Sequence, residues 1–334
     1  MRAAVIEEPY ELVVKEVERP KCGDDEILIK VHRAAVCNLS DWEVYTGTSS
    51  IIEYIGGYPH ILGHEQSGQV VEVGKNVTGF AEGDRVTAYW RATGAFGEYN
   101  TLNPGKLAVI KLDDRVSYDE GAIMEMAGGG AMRNVYGSTM RPTDTVAIIG
   151  VGPAGLLAGM VTKLFGAKHW IALDLIDFRL QKALELGASA AFNVMEMDHE
   201  EIAQTIDEQL GEVDVVFEAM GVDRTPDQSG LDLAIRIVKL GGDVRLFTFA
   251  PMRHPLSIGD ALMKGVNFVG RKVSIERTRD LLDLAHRWVA EGRYPIKKLI
   301  THHLPLEDAE QALKIAHEHP EEAIKVVIDV EPEA

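Results

Sequence analysis

Cys37, in the run VCNLSDW, and His64, in PHILGHE, offer a thiolate sulfur and an imidazole nitrogen, donors that suit Zn2+. A catalytic zinc takes three protein ligands and leaves a fourth position open. Each residue also has an ordinary structural reading: a lone cysteine is a small core residue, and histidine is common in turns. The surroundings favour the metal. Gly63-His64-Glu65 is followed by Gly68 and Gly74, a turn–strand–turn frame that fixes the imidazole, and Asp41 can accept the second imidazole N–H.

A second constellation is Gly150-Val151-Gly152-Pro153-Ala154-Gly155, directly after the apolar run TVAII and directly before an Ala/Leu/Met-rich segment that reads as a helix to Phe165. In such a turn the first glycine permits the reversal, the second lets the backbone approach a pyrophosphate, and the third allows helix and strand to pack closely. The pyrophosphate would sit on the helix N-terminus, where free N–H groups and the dipole favour an anion. Asp174, at the end of the next expected strand, suits the adenosine ribose hydroxyls and repels a 2′-phosphate. That favours NAD, while Arg179, close behind, leaves NADP open.

These residues need elements to hold them. The first third reads as β-rich, with strand-like runs at Glu26–Val31, Gln69–Val73 and Arg85–Ala88 between turn residues. From Thr145 strands and helices alternate: strand His169–Leu175, helix Asp177–Leu186 closed by Gly187, strand Val213–Ala219, helix Leu231–Leu240 stopped by Gly241-Gly242, strand Asp243–Phe249. That alternation implies a doubly wound parallel sheet. Helical periodicity returns at Arg277–Ala290 and Leu306–His317, and the chain closes on a β-rich run, Ala323–Val330, and a charged tail, EPEA, expected to fray.

The 334 residues set a prior of about two domains. An apolar content of 46% and a charged content of 26% exclude disordered, collagen-like and coiled-coil classes. No apolar run approaches the roughly 20 residues of a membrane-spanning helix. The N-terminus carries acids where a signal peptide has an apolar core, so a cytoplasmic protein is expected. A net charge of −18 repels nucleic acid and anionic lipid; the densest basic stretch, Arg271 to Arg279, is interrupted by Glu276. Two cysteines, Cys22 and Cys37, allow at most one disulfide, which an intracellular setting disfavours.

Taken together, the motifs resemble those of the zinc-dependent medium-chain alcohol dehydrogenase family. G-H-E-x2-G-x5-G-x2-V runs from Gly63 to Val77, followed by Gly83-Asp84-Arg85-Val86, Gly94-Ala95-Phe96-Gly97-Glu98-Tyr99, the glycine loop, Phe217-Glu218-Ala219-x-Gly221 and Ala323-Ile324-Lys325-Val326. The resemblance spans essentially the whole chain. It implies a GroES-like β-rich catalytic domain, residues 1–142 with 276–334, split around a Rossmann domain, residues 143–275. It also implies one catalytic zinc, hydride transfer between NAD(P) and an alcohol or carbonyl, and a homo-oligomer, dimer or tetramer, often joined along the Rossmann sheet edge. Residue by residue, Cys37 and His64 match two zinc ligands. Glu125, in Ala122-Ile123-Met124-Glu125, matches the third ligand of the sorbitol, threonine and glucose dehydrogenase branches, with Glu120 as competitor. Glu65 matches an acid beside the metal, and Lys325 a basic residue near the pyrophosphate.

Departures bear on the substrate. The family's C-G-x-D is lengthened by one residue to Cys37-Asn38-Leu39-Ser40-Asp41. If Asp41 is the aligned acid, Ser40 is the hydroxyl that hands on the substrate proton, with Glu43 where many members carry a histidine relay, as in sugar-type relatives. The four-cysteine lobe of a structural zinc is absent, since only Thr87–Thr93 separate the flanking motifs. Gly128-Gly129-Gly130 suggests close approach of nicotinamide, room for a bulky substrate, or simple helix packing. The expected reaction is oxidation of a secondary alcohol of polyol, sugar or cyclitol type. The alternatives are a zinc-free enoyl or quinone reductase on the same fold, and a non-catalytic NAD(H)-binding protein.

Overall fold

The computed structural model describes residues 1–48, 52, 55–89, 94–220, 230–247, 258–270 and 273–331. Gly221, the end of the strand expected to reach Phe249, Arg271 and the last three residues of the EPEA tail lie outside the described residues. The chain forms two compact units, residues 1–129 with 274–334, and residues 130–273.

In the first unit the central strands Ile27–Ala35 and Glu65–Val73 pair antiparallel, with Ala35 opposite Glu65. They belong to a seven-stranded sheet that also holds Arg85–Tyr89, Ala108–Lys111, Tyr99–Leu102, Lys325–Asp329 and Ile300–Pro305. Strands Glu11–Glu16, Arg2–Glu8 and His60–Ile61 form a smaller sheet. Ile27, Ile29, Val31, Val86, Phe96 and Ile328 are fully buried members of one core, so a single apolar interior joins both ends of the chain. Burying such side chains contributes roughly 1.5–3 kcal/mol each.

The second unit is a six-stranded parallel sheet in the order Ala190–Asn193, His169–Asp174, Thr145–Ile149, Val213–Glu218, Val238–Leu246, Asn267–Val269. Thr145–Ile149 is buried at every residue, as a central strand covered on both faces must be. Helices Pro153–Leu164, Asp177–Glu185, His199–Leu210 and Gly230–Ile237 supply the crossovers. The helix expected to run to Leu240 ends at Ile237, and the strand begins at Val238 instead of Asp243. Gly241-Gly242 therefore lies inside the strand, where Gly241 at φ +70° accommodates the irregular pairing beside Val213–Val215. The glycine pair is a bulge device.

Residues 118–136 form one continuous helical run: α-helical Tyr118–Met124, π-helical Glu125–Met132 and α-helical Arg133–Tyr136. The division between the two compact units falls inside it, after Gly129. The glycines here serve packing. A Cβ on Gly129 would lie 1.8 Å from the Tyr89 ring, and one on Gly128 would lie 2.8 Å from Leu282 Cα. Among the described residues no helix is long and apolar enough to cross a membrane.

Gly129→Ala should destabilise the protein by about 1–3 kcal/mol, because Tyr89 must leave a packed rotamer. Gly105→Ala, whose methyl would meet only the Asn103 carboxamide oxygen at 3.2 Å, should stay within about 0.5 kcal/mol. Urea midpoints check this; equal midpoints would contradict it.

Candidate active site

The antiparallel pairing that sets Ala35 against Glu65 also brings together the residues just beyond these strand ends. Cys37 follows one strand and His64 immediately precedes the other. The Cys37 Sγ, a His64 ring nitrogen and a Glu65 carboxylate oxygen all lie within 4.8 Å of one another. Gly63, at φ +88°, makes the turn into His64, and a Cβ there would strike the Phe96 ring at 2.3 Å.

Asp41 sits behind this group. Its Oδ1 lies 3.2 Å from His64 Nδ1, and its Oδ2 accepts the Cys37 backbone N–H at 2.8 Å. With Nδ1 committed to Asp41, Nε2 is the nitrogen left for a metal. Burial opposes charge on the imidazole, but the fields of Asp41 and Cys37 outweigh it and carry the His64 pKa well above its ordinary value.

Glu65 is fully buried. Its Oε1 accepts from Lys325 Nζ at 2.6 Å, and Lys325 also donates to the Val36 carbonyl at 2.7 Å. Burial pushes the Glu65 carboxyl upward against the pull of Lys325. Burial likewise disfavours the Lys325 ammonium, but Glu65 and the neighbouring anionic groups hold it charged. Glu65 Oε2 is buried with no hydrogen-bond partner. A soft thiolate, an imidazole and a carboxylate with one oxygen left unpartnered, within metal-ligand reach of one another, form a donor set that fits Zn2+.

Among the described residues the group with metal-ligand spacing takes in Glu65, the residue next to His64. Glu125 is 8% exposed, at the junction of the α-helix with the π-helical stretch. Glu120 is a helix cap, its Oε2 accepting from the Ser117 N–H and hydroxyl at 2.9 and 2.8 Å. Lys325 was expected near a pyrophosphate; its ammonium is buried on Glu65, a pairing between residues far apart in the chain. The one signal for it is a lysine inside the otherwise apolar run AIKVVI.

Ser40 opens the short helix Ser40–Thr46 and Glu43 lies one turn on, so both share a face. A second cluster, Asp119, His303 and Asp329, also has metal-ligand spacing. However, the buried Arg33 Nε lies 3.1 Å from Asp119 and 3.0 Å from Asp329, so the carboxylates already have their cation.

In the second unit, Gly150 has φ +86°, and a Cβ there would meet the Met220 backbone at 2.9 Å. A Cβ on Gly155 would lie 2.1 Å from the Gly150 carbonyl oxygen, the close packing of helix on strand that the third glycine provides. Gly152 caps the helix, Pro153 takes its first turn and Ala154 follows. A Cβ on Gly152 would meet nothing nearer than the Arg179 guanidinium at 3.6 Å. Asp174 Oδ2 accepts the Val151 N–H at 2.8 Å, and Oδ1 accepts from Leu175 and Ile176 at 2.8 and 3.0 Å. Asp174 therefore braces the glycine loop. Burial nonetheless raises its pKa, against the opposing field of Arg179.

Comparison with known proteins agrees with this geometry. Residues 23–133 match the alcohol dehydrogenase GroES-like domain and residues 153–287 the zinc-binding dehydrogenase domain. Sorbitol dehydrogenase 1 of Saccharomyces cerevisiae is 30% identical, over 98% of this chain and 97% of its own. Sorbitol dehydrogenase of Bacillus subtilis is 29% identical over 98% and 97%. The crystal structure of 2R,3R-butanediol dehydrogenase from Bacillus subtilis superposes with a TM-score of 0.84 at 26% identity, covering 99% of each chain. With its Cys/His/Glu group and its glycine-loop parallel sheet, the chain belongs to the zinc-dependent medium-chain alcohol dehydrogenase family, built from a GroES-like and a Rossmann-type domain.

Proposed function

We propose that this protein is a zinc-dependent, NAD-linked dehydrogenase of polyols or similar secondary alcohols. The observation that carries the reading is the Cys37–His64–Glu65 group, with Cys37 and Glu65 buried, His64 half-buried and Glu65 Oε2 left without a partner. Cys37, His64 and Glu65 would hold the metal. When bound, zinc supplies Lewis-acid polarisation of an alcohol oxygen, and the nicotinamide ring accepts the hydride. Asp41 holds His64 in the tautomer that presents Nε2. Lys325 keeps the Glu65 carboxylate ionised and aimed. Ser40 takes the alcohol proton on its hydroxyl and passes it towards Glu43. Gly150, Gly152, Pro153, Ala154 and Gly155 present a helix N-terminus to the pyrophosphate, with Asp174 fixing that loop and Arg179 beside Gly152.

The polyol preference is supported by the sorbitol dehydrogenase relatives and by Glu43 at the relay position. Assembly into a homo-oligomer along the second unit's sheet edge belongs to the same reading. There the edge strand Asn267–Val269 and the helix Ile258–Lys264 expose Phe268, Ile258, Leu262 and Met263. So does cytoplasmic location, on the acids that stand in the N-terminal run where a signal peptide has an apolar core.

In a panel of polyols, sugars and simple alcohols, NADH absorbance should rise fastest with a vicinal polyol, with higher kcat/KM for NAD than for NADP. Enone or quinone reduction without alcohol oxidation would favour the zinc-free reductase reading, and no turnover with any would favour a binding protein.

Zinc analysis of variants separates the ligand assignments. Cys37→Ser, His64→Ala and Glu65→Gln should lose most bound zinc, with NADH affinity kept, and Glu125→Gln should retain it. Full zinc in Glu65→Gln with loss in Glu125→Gln would reverse the third ligand.

Lys325→Met leaves Glu65 buried without its cation. In metal-free protein this should cost about 3–5 kcal/mol at neutral pH. The variant's Glu65 then has a folded pKa above its unfolded value, so the fold holds a proton that the unfolded chain releases. Its stability is greatest at low pH and falls as pH rises, and the deficit against wild type should narrow toward about pH 5. A deficit independent of pH would contradict the buried ion pair.

A further inference from the structure

The lengthened loop after Cys37 needs something to hold it, and the last turn of the helix Ala309–Glu318 does so from two sides. Asn38 Nδ2 donates to the Ala316 carbonyl at 2.7 Å and lies 3.5 Å from that of Ile324. The Asn38 Oδ1 is buried with no partner, so these contacts anchor the amide. His317 Nδ1 lies 3.0 Å from the Asn38 carbonyl oxygen. A carbonyl only accepts, so Nδ1 carries the proton. The same imidazole stacks on Trp42, with ring centroids 4.2 Å apart and planes 9° from parallel. Trp42 follows Asp41, which itself holds the Cys37 N–H and faces His64.

One imidazole therefore grips both ends of the Asn38–Trp42 segment. Between its two contacts lie Leu39, Ser40 and Asp41. Cys37 precedes the first contact, its own peptide held by Asp41 and the preceding carbonyl by Lys325. Of the residues flanking Cys37, Asn38 is the one tied to a distant helix by both its backbone and its side chain. With an added residue, a loop of this kind has more backbone freedom to lose on ordering, and a loosened loop would shift sulfur and hydroxyl together.

We infer that His317 is a positioning residue: by donating to the Asn38 carbonyl and stacking on Trp42 it sets the conformation of the Cys37–Asp41 loop, and through it the placement of the Cys37 sulfur and the Ser40 hydroxyl. The inference rests on reading Cys37 as a metal ligand. Both contacts count, so the donor and the ring face are separable. His317→Phe keeps a stacking face and removes the donor. His317→Asn keeps a donor near Nδ1 and removes the face.

The test uses full-length protein reconstituted with Co2+ in place of Zn2+, read by the thiolate-to-cobalt charge-transfer band, metal release to a chelator, and kcat with KM for NAD. For His317→Phe the band should shift, metal release should accelerate about tenfold, in line with the loss of a hydrogen bond supporting a ligand, and kcat should fall with KM for NAD unchanged. His317→Asn should recover part of the band position and of kcat. Asn38→Ala cuts the other tie to the same helix and should reproduce the band shift, which keeps the test open if His317→Phe does not fold. A lower melting temperature with an unshifted band and wild-type kcat per bound metal would reduce His317 to a fold residue and overturn the inference. A wild-type protein without a cobalt–thiolate band would overturn the metal reading first, and this inference with it.

Discussion

Holding a thiol and two carboxylates out of water beside a half-buried imidazole is the constraint on which the first unit depends. Buried charges persist only where each has a counter-charge or a donor. The fold meets this by contacts from distant parts of the chain. Lys325, on a strand near the C-terminus, is buried against Glu65 and the Val36 carbonyl. Asp41 holds a backbone N–H and faces the imidazole. What is left over is a Glu65 carboxylate oxygen without a partner, in a group whose sulfur, imidazole and carboxylate lie within 4.8 Å of one another. A divalent cation is the partner that would complete the balance, and the same imbalance favours it over a neutral ligand.

The second unit meets a different constraint, which is to bring backbone close to backbone and to leave a helix N-terminus open. Gly155 packs where no side chain fits, and Gly150 turns in a conformation L-residues disfavour. Asp174 links the two by taking the Val151 N–H from the adjacent strand. Its carboxylate thus has a structural duty to the loop alongside any contact with a ribose, so its replacement would disturb cofactor binding generally as well as altering selectivity.

Features carried by short local patterns were legible in the sequence. The glycine loop, its following helix and the Gly63-His64-Glu65 turn depend on residues within a few positions, and Asp41 lies close enough to Cys37 for its role to be read. Features that depend on distant pairing were not. Nothing local says that Lys325 buries its ammonium on Glu65. Gly241-Gly242 reads as a helix stop by propensity, yet pairing with the strand Val213–Glu218 draws it into the sheet. Of the three readings open to Gly128 and Gly129, helix packing is the one their neighbours Leu282 and Tyr89 support.

X-ray absorption at the zinc edge of the purified protein reads the composition of the metal's inner sphere directly. The spectrum should show one sulfur at about 2.3 Å, one imidazole with its outer-ring scattering, and the remaining ligands as oxygen at about 2.0–2.2 Å, with the sulfur lost in Cys37→Ser and the imidazole lost in His64→Ala. A sphere of oxygen and nitrogen alone, or one carrying two or more sulfurs, would contradict this ligand set.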